Sequence, residues 1–304
     1  MLTRAIALAL IAMLCASCGF KSEPTGPLPA FPTQVRDALG REVHIESAPQ
    51  RVVSLDPGMT AAMYSLGVQK LLVGRSGAET YPKGVKSVPV MLQKGAIDTH
   101  RLRKARADLI LAPASLVGTA AEAKALESKV GALVYVVGAS SIDRVETDIG
   151  QLGLMTNTAV KARQLAASIR TRVAAVERAV KGQPPARTFV DIGLRYTIDP
   201  AGLTADLLRT AGGVNVAADS DTSTPVSKTD MRTLAPDVYL SQEGDGATLE
   251  QLKGSKGLST LPAVTSGRVI QLPASVLTED GPHIAQALAA IARALHPGIV
   301  IAPA

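Results

Sequence analysis

The sequence predicts an α/β protein with two parallel-sheet, Rossmann-like lobes, one long backbone helix that joins them, and a ligand cleft between the lobes. Short β-branched runs alternate with helical segments in the first half of the chain, a long helical segment follows, and the alternation then starts again. Strands that alternate with helices favour a parallel sheet with helices on its faces. Ligands bind beyond the carboxyl ends of such strands, so two facing lobes would hold a ligand between them.

The N-terminal segment has the features of an export signal. Arg4 precedes an apolar run over residues 5–14, which is too short to span a bilayer. Small residues lead up to Cys18, a pattern similar to the bacterial lipobox, in which the cysteine is acylated. We expect a lipoprotein signal peptide over residues 1–17, with cleavage without a lipid as the alternative, and a proline-rich tether over residues 18–34. The protein is then exported and anchored to the cell membrane, in the periplasm or on the outer face.

The first lobe is expected over residues 35–157. Its strands are short, β-branched and apolar, and its helices end at glycines, as buried strands and helix ends usually do. Asp56 to Thr60 is interpreted as a turn before the first helix. The predicted strands are 51–55, 71–74, 107–112 and 133–137, and the predicted helices are 61–66, 122–130 and 141–154.

One long helix over residues 158–181 is expected to join the lobes. Apolar side chains recur every three or four residues from Leu165 to Val180, which is typical of a helix packed on one face. Its length would be about 35 Å. The second lobe is expected over residues 182–304. Its predicted strands are 188–192, 238–240 and 267–272, and its predicted helices are 204–211 and 283–295.

Charge and cysteine content exclude several classes of function. The net charge is +6, and the densest cationic group lies in one helix-like stretch without interleaved aromatic residues, so no nucleic-acid partner is expected. Both cysteines, Cys15 and Cys18, lie in the leader, so the body has no Cys nucleophile and no Cys-ligated metal. The cationic group consists of Arg101, Arg103, Lys104 and Arg106.

Several short motifs occur in a fixed order between residues 35 and 298. They are Asp37–Val43, Pro49–Leu55, Tyr81-Pro82, Arg106–Ile110, Ala211–Asn215, Leu234–Val238, Gly281–His283 and Ala294–Pro297. Together they resemble the periplasmic substrate-binding proteins of ABC importers for iron–siderophores, haem or cobalamin. The resemblance implies two lobes braced by a backbone helix, docking onto a permease dimer driven by an ATPase, and binding rather than catalysis.

The resemblance also implies a ligand for the Tyr-Pro motif. In haem-binding members a tyrosine in this context ligates ferric iron, so Tyr81 is a candidate metal ligand if the cargo is haem. A phenolate oxygen suits ferric iron because both are hard. His100 is a further candidate, as a second axial ligand. The four histidines lack HxxxH or HxH spacing, so no sequence-local metal site is expected.

Polar residues after three predicted strands of the second lobe complete the candidate site, and Ser275 to Glu279 follow the last of these strands, 267–272. Arg195 could hold a carboxylate in two parallel hydrogen bonds, and Tyr196 could pack on a ring face. Gln242 and Glu243 follow the next strand, where a carboxylate would repel an anionic chelate but suit a cationic or amide-rich one.

Family members also place an exposed Glu on each lobe that pairs with permease arginines. These positions fall at His100 and Thr229 here, so neither Glu is present. Asp98 and Asp230 lie beside them and are the candidate permease contacts, since carboxylate charge is what steers an arginine pocket.

The sequence therefore predicts a monomeric substrate-binding lipoprotein that captures a metal chelate and delivers it to a permease. Haem and ferric siderophores rank ahead of cobalamin, and no resident cofactor is expected. The alternative is a free zinc- or manganese-binding protein of a related importer, which needs three or four His, Asp or Glu ligands from both lobes. A remote alternative is an extracytoplasmic enzyme, although the chain lacks GxSxG, a GxGxxG after a strand, and a P-loop.

Overall fold

Two four-stranded parallel sheets, one in each lobe, confirm the predicted α/β fold class. The structure is a computed structural model that describes residues 31–303. The predicted signal peptide, Cys18 and most of the tether lie outside the described residues.

The first lobe is built from eight strands and four helices among the described residues. The strands are β1 Thr33–Arg36, β2 Glu42–Ile45, β3 Val52–Ser54, β4 Leu72–Arg75, β5 Leu92–Gln93, β6 Ala96–Ile97, β7 Leu109–Pro113 and β8 Leu133–Val137. The helices are α1 Pro57–Leu66, α2 Thr99–Ala105, α3 Ala120–Val130 and α4 Ile142–Met155. The parallel sheet has the order β4-β3-β7-β8, and β1-β2 and β5-β6 are antiparallel pairs. The central strands are buried on both faces because helices cover the sheet.

The second lobe repeats this architecture. Its strands are β9 Ala186–Asp191, β10 Gly213–Asn215, β11 Val238–Gln242 and β12 Val269–Leu272, and they form a parallel sheet in the order β10-β9-β11-β12. Its helices are α6 Leu203–Thr210, α7 Lys228–Leu234, α8 Leu249–Lys253, α9 Pro262–Thr265, α10 Ala274–Leu277 and α11 Ile284–Leu295.

The two lobes are joined by a single continuous helix, α5, which spans Ala159–Val180. Its 22 residues correspond to about 33 Å. The helix packs against α4 of the first lobe and α11 of the second. A glycine allows the first of these contacts, because a Cβ at Gly153 would lie 2.3 Å from the Cβ of Ala162. The backbone helix is therefore held from both sides.

The start of α1 corrects one sequence prediction. The helix begins at Pro57 rather than Ala61, because the Asp56 carboxylate accepts the Met59 N–H at 2.7 Å and caps the helix. Proline at the first helical position is compatible with this cap, since its missing N–H would have no partner there. What was interpreted as a turn is thus the N-terminus of a buried helix at the end of β3.

Three strand segments were not predicted: the β1-β2 hairpin, the short β5-β6 hairpin and β10. The β1-β2 hairpin closes through Asp37, which accepts the backbone N–H groups of Leu39 and Arg41 at 3.0 Å each. Gly212 and Gly213 were expected only to end the helix predicted over 204–211, yet Gly213 begins the short strand Gly213–Asn215, which pairs in parallel with β9. No helix within residues 31–303 combines the length and apolar character needed to cross a bilayer.

Candidate ligand-binding site

A cavity of about 390 Å³ lies where the two lobes meet. Its walls follow the carboxyl ends of β3 and β4 in the first lobe and of β12 in the second, as expected for parallel sheets. The first lobe contributes Pro57, Gly58, Ala61, Ala78, Glu79, Thr80 and Tyr81, and the second contributes Ala274, Ser275, Thr278, Glu279, Asp280 and His283.

Two glycines bring the lobes into direct backbone contact at this cavity. A Cβ at Gly58 would lie 2.3 Å from the carbonyl oxygen of Asp280 and 2.4 Å from its Oδ1. A Cβ at Gly281 would lie 2.8 Å from the Cα of Gly58. Any side chain at either glycine would force the lobes apart, so the closed cleft depends on both.

Three carboxyl groups line the cavity, and a fourth is buried beside it. Burial raises the pKa of Asp280 to about 6, and the nearby charge of Glu279 adds to the effect. Burial also raises the pKa of Glu279. Asp56, the cap of α1, has a raised pKa because it is fully buried and because Asp280 faces it from the other lobe. Since no Lys or Arg is among the lining residues, the wall is acidic.

Glu79 is the most firmly held of these carboxylates. Burial works to raise its pKa, but hydrogen bonds from Arg75 at 2.9 Å, the Ser76 hydroxyl at 2.8 Å and the Gly77 N–H at 2.8 Å outweigh burial and lower it. Glu79 is therefore charged at neutral pH, and its direction is set by the segment after β4.

An aromatic pair from opposite lobes flanks the cavity. The rings of Tyr81 and His283 meet edge to face, with centroids 5.1 Å apart and planes at 84°. Tyr81 is 53% exposed, and neither its hydroxyl nor the His283 ring nitrogens form a hydrogen bond within the described residues. The pair thus presents an apolar face and unused polar atoms to a ligand.

The sequence pattern that defines the family of periplasmic binding proteins matches residues 52–276 of the chain. The chain belongs to this family. It is 25% identical to an uncharacterised ABC transporter substrate-binding lipoprotein of Bacillus subtilis over 96% of both chains. It is 27% identical to a cobalamin-binding protein of Halobacterium salinarum, covering 88% of this chain and 75% of the relative.

Solved periplasmic proteins share the fold. The vitamin B12-binding protein BtuF of Vibrio cholerae matches with a TM-score of 0.70 and 22% identity, over 81% of this chain and 96% of its own. The haem-binding protein RhuT of Roseiflexus matches with a TM-score of 0.69 and 22% identity, over 82% of this chain and all of its own. The two-lobe architecture is thus the family's architecture.

Within this periplasmic binding protein, the cavity is lined by Tyr81 and by Ser275, Thr278 and Glu279 of the segment predicted after the strand 267–272. Arg195 and Tyr196 follow β9 as predicted but lie outside the cavity lining. The Arg195 Nε donates a hydrogen bond to the Val226 carbonyl at 2.9 Å, so its guanidinium is held by its own lobe. A ligand role for Arg195 and Tyr196 stays a prediction.

Gln242 and Glu243 come at the carboxyl end of β11 and also lie outside the cavity lining. The Gln242 amide donates a hydrogen bond to the Asp245 carboxylate at 2.7 Å, while Glu243 is exposed. Sequence reasoning missed His283, which was interpreted as a structural residue at the start of the last helix. Its position beside Glu279, after β12, was the available signal.

The residues predicted to contact a permease lie at helix starts. Asp98 caps α2, where its Oδ1 accepts the N–H groups of His100 and Arg101 at 3.0 Å each and its Oδ2 pairs with Arg101 at 3.2 Å. These backbone hydrogen bonds lower the pKa of Asp98. Asp230, in the first turn of α7, is exposed and accepts the Ser227 hydroxyl at 2.6 Å. His100 is exposed and outside the cavity lining.

The described residues do not assemble a free-metal site. Within residues 31–303, no three His, Cys, Asp or Glu side chains are arranged to share a metal ion. A zinc or manganese carrier would need three or four such ligands.

Proposed function

We propose that the protein is the substrate-binding component of an ABC importer and that its cleft captures a neutral or cationic, amide-rich metal chelate. A corrinoid such as cobalamin is the first candidate, and a ferric hydroxamate siderophore is the second. Capture involves binding and release without turnover. Family membership and the similarity to a cobalamin-binding protein support this proposal.

We infer the ligand class from the acidic wall of the cavity. Glu79, Glu279 and Asp280 line the cavity; Arg75 pairs with Glu79 from outside the lining, and no Lys or Arg lies among the lining residues to balance the other two. Haem carries two propionates, which would meet this negative wall unpaired. Cobalamin surrounds its ring with amide groups, which donate hydrogen bonds to carboxylates. We therefore rank cobalamin ahead of haem, the reverse of the order predicted from the sequence.

The size of the cavity sets a second condition. Ligand pockets commonly measure about 300–1,000 Å³, and 390 Å³ lies at the small end of that range. A corrinoid is too bulky for this volume, so the lobes must part at the contact between Gly58 and Asp280 to admit it. The described conformation, with Gly58 against Asp280, then corresponds to a closed cleft.

Calorimetric titration of the purified protein tests the proposal. We expect binding of cyanocobalamin, weaker or no binding of haemin, and a loss of affinity in Tyr81→Ala of roughly 10- to 100-fold, because burying an aromatic ring contributes about 1.5–3 kcal/mol. Tyr81→Phe should retain the affinity, since the ring face makes the contact. Leu133→Ala is the control, because Leu133 is also an exposed apolar side chain but lies outside the cavity lining.

Two outcomes would contradict this assignment. Binding of haemin with loss of its tyrosinate spectrum in Tyr81→Phe would make Tyr81 a metal ligand and haem the cargo. Failure to bind cyanocobalamin, ferric hydroxamates or haemin would remove the chelate class altogether.

We also propose that Cys18 is acylated and that Asp230 contributes more to permease docking than Asp98. The similarity to a Bacillus lipoprotein supports the anchor. The carboxylate oxygens of Asp98 already cap α2 and pair with Arg101, whereas Asp230 is exposed. Labelling with palmitate, lost in Cys18→Ser, tests the anchor. Co-purification with the permease dimer and its ATPase, weakened more by Asp230→Asn than by Asp98→Asn, tests the docking.

A further inference from the structure

A second groove lies in the first lobe and shares no lining residue with the ligand cavity. It measures about 410 Å³ and lies between α2 and the segment from β4 to β5. Its apolar side is formed by residues such as Val73, Val90 and Met91. Its polar side is entirely cationic and is formed by Arg51, Lys104 and Arg101. We call this feature the basic groove.

Two of the cations are fixed in place by backbone carbonyl groups. The Arg51 Nε donates to the Ala105 carbonyl at 2.8 Å, at the end of α2. The Arg101 Nη1 donates to the Val90 carbonyl at 2.9 Å. These bonds orient both guanidinium groups toward the groove while leaving other N–H donors on each without a partner in the described residues.

The positive charge of the basic groove is only partly balanced. Asp98 pairs with Arg101 at 3.2 Å, but within residues 31–303 no carboxylate forms an ion pair with the Arg51 or Lys104 side chains. Asp108 accepts the backbone N–H of Arg51 at 3.0 Å instead. Arg103 and Arg106 lie on the same stretch of chain and are exposed, but they do not line the groove.

We propose that the basic groove is a docking surface for anionic phospholipid headgroups of the membrane surface. Three cations beside an apolar floor fit an amphipathic anion, with the phosphate at the cations and the glycerol region against Val90 and Met91. A free inorganic anion would gain nothing from that floor. Nucleic acid would lack a stacking partner, because no aromatic side chain lines the groove.

This surface is independent of the cargo in the cleft. It would hold the first lobe at the membrane surface and limit the orientations of an anchored protein. Each Lys or Arg near an anionic membrane surface raises the binding constant for the membrane about fivefold. Removing three of them should therefore lower this constant by roughly 100-fold.

Vesicle co-sedimentation of the mature chain, residues 18–304, tests the proposal. Every sample carries Cys18→Ser so that an acyl chain does not mask weak binding. We expect salt-sensitive binding to phosphatidylcholine vesicles that contain phosphatidylglycerol and none to phosphatidylcholine alone. The combined change Arg51→Gln, Arg101→Gln and Lys104→Gln should reduce binding by roughly 100-fold. The matched control removes the same charge from the exposed surface at the long helix, with Arg163→Gln, Arg178→Gln and Lys181→Gln.

A single charge reversal at Lys104 keeps the proposal testable if the triple variant misfolds. The Lys104 side chain makes no hydrogen bond within the described residues, and Lys104→Glu should weaken vesicle binding by roughly 25-fold with an unchanged melting temperature. Equal binding to neutral vesicles, or an equal loss in the control triple variant, would overturn the proposal. Displacement from vesicles by millimolar inorganic phosphate would also overturn it, because the site would then bind a soluble anion. Cobalamin titration of the same variants separates this result from the function proposed for the cleft.

Discussion

Replacing Asp280 by asparagine is expected to stabilise the protein at neutral pH. The Asp280 carboxyl lies against Gly58 at the lobe junction, with Asp56 and Glu279 nearby. Burial, followed by the charge of Glu279, raises its pKa from 3.8 to about 6. The folded state therefore binds more protons than the unfolded state between these values, and the protein loses stability as the pH rises from 3.8 to about 6.

The size of the effect follows from the pKa difference. Each pKa unit corresponds to about 1.4 kcal/mol, so a change from 3.8 to about 6 corresponds to at most roughly 3 kcal/mol at neutral pH. Partial exposure of Asp280 reduces this to on the order of 2 kcal/mol. Asparagine keeps the shape and removes the charge. For a chain of this length the gain corresponds to a rise in melting temperature of roughly 5 °C.

Thermal unfolding followed by circular dichroism measures the gain. The ligand-free protein and Asp280→Asn are compared at pH about 7.5, where the carboxyl is charged, and at pH about 4, where the folded protein already holds the proton. Asp219→Asn, at an exposed carboxylate, is the control. A melting temperature of Asp280→Asn that is unchanged or lower at the higher pH, or a gain of equal size at both, would refute the reasoning.

Two glycine substitutions probe the contacts that bring elements together. Gly58→Ala places a methyl group 2.3 Å from the Asp280 carbonyl oxygen and should destabilise the protein by about 1–3 kcal/mol, whereas Gly84→Ala, which meets open space, should not. Gly153→Ala should lower the melting temperature by a similar mechanism, because it separates the long helix from α4. Gly150 also lies in α4 but faces open space. Gly150→Ala should therefore raise the melting temperature slightly, since alanine is the better helix former.

The lobe order was predictable because its signals are local. Runs such as Leu109–Pro113 are apolar and β-branched, so they read as buried strands wherever the chain places them. The start of α1 was not predicted, because Asp56-Pro57 also reads as a turn when the helix that follows is short. The hairpin formed by β1 and β2 was missed because polar and charged residues alternate with the apolar ones in both strands, so neither forms an apolar run.

The candidate site was predictable only in part. The rule that ligands bind beyond strand ends identified the loops, and the Tyr-Pro motif identified Tyr81. The acidic wall was not predicted as a unit, because Glu79 lies in the first lobe and Glu279 and Asp280 lie in the second, and they come together only where two glycines let the lobes touch. No local pattern encodes that contact.

The loop after β9 shows why a strand-end rule does not identify individual ligand residues. The buried Asp191 accepts the N–H groups of Gly193 and Arg195 with Oδ1, at 2.9 Å each, and the Tyr239 hydroxyl with Oδ2 at 2.8 Å. These bonds fold the loop back onto its own lobe, with Leu194 and Arg195 at positive φ values of 52° and 68°. The Arg195 guanidinium is thereby directed to its own lobe, and it can reach a ligand only if this loop rearranges. Asp191, at the end of β9, thus sets the direction of the Arg195 side chain. From the sequence alone, Arg195 was the residue expected to bind a ligand, and Asp191 was not.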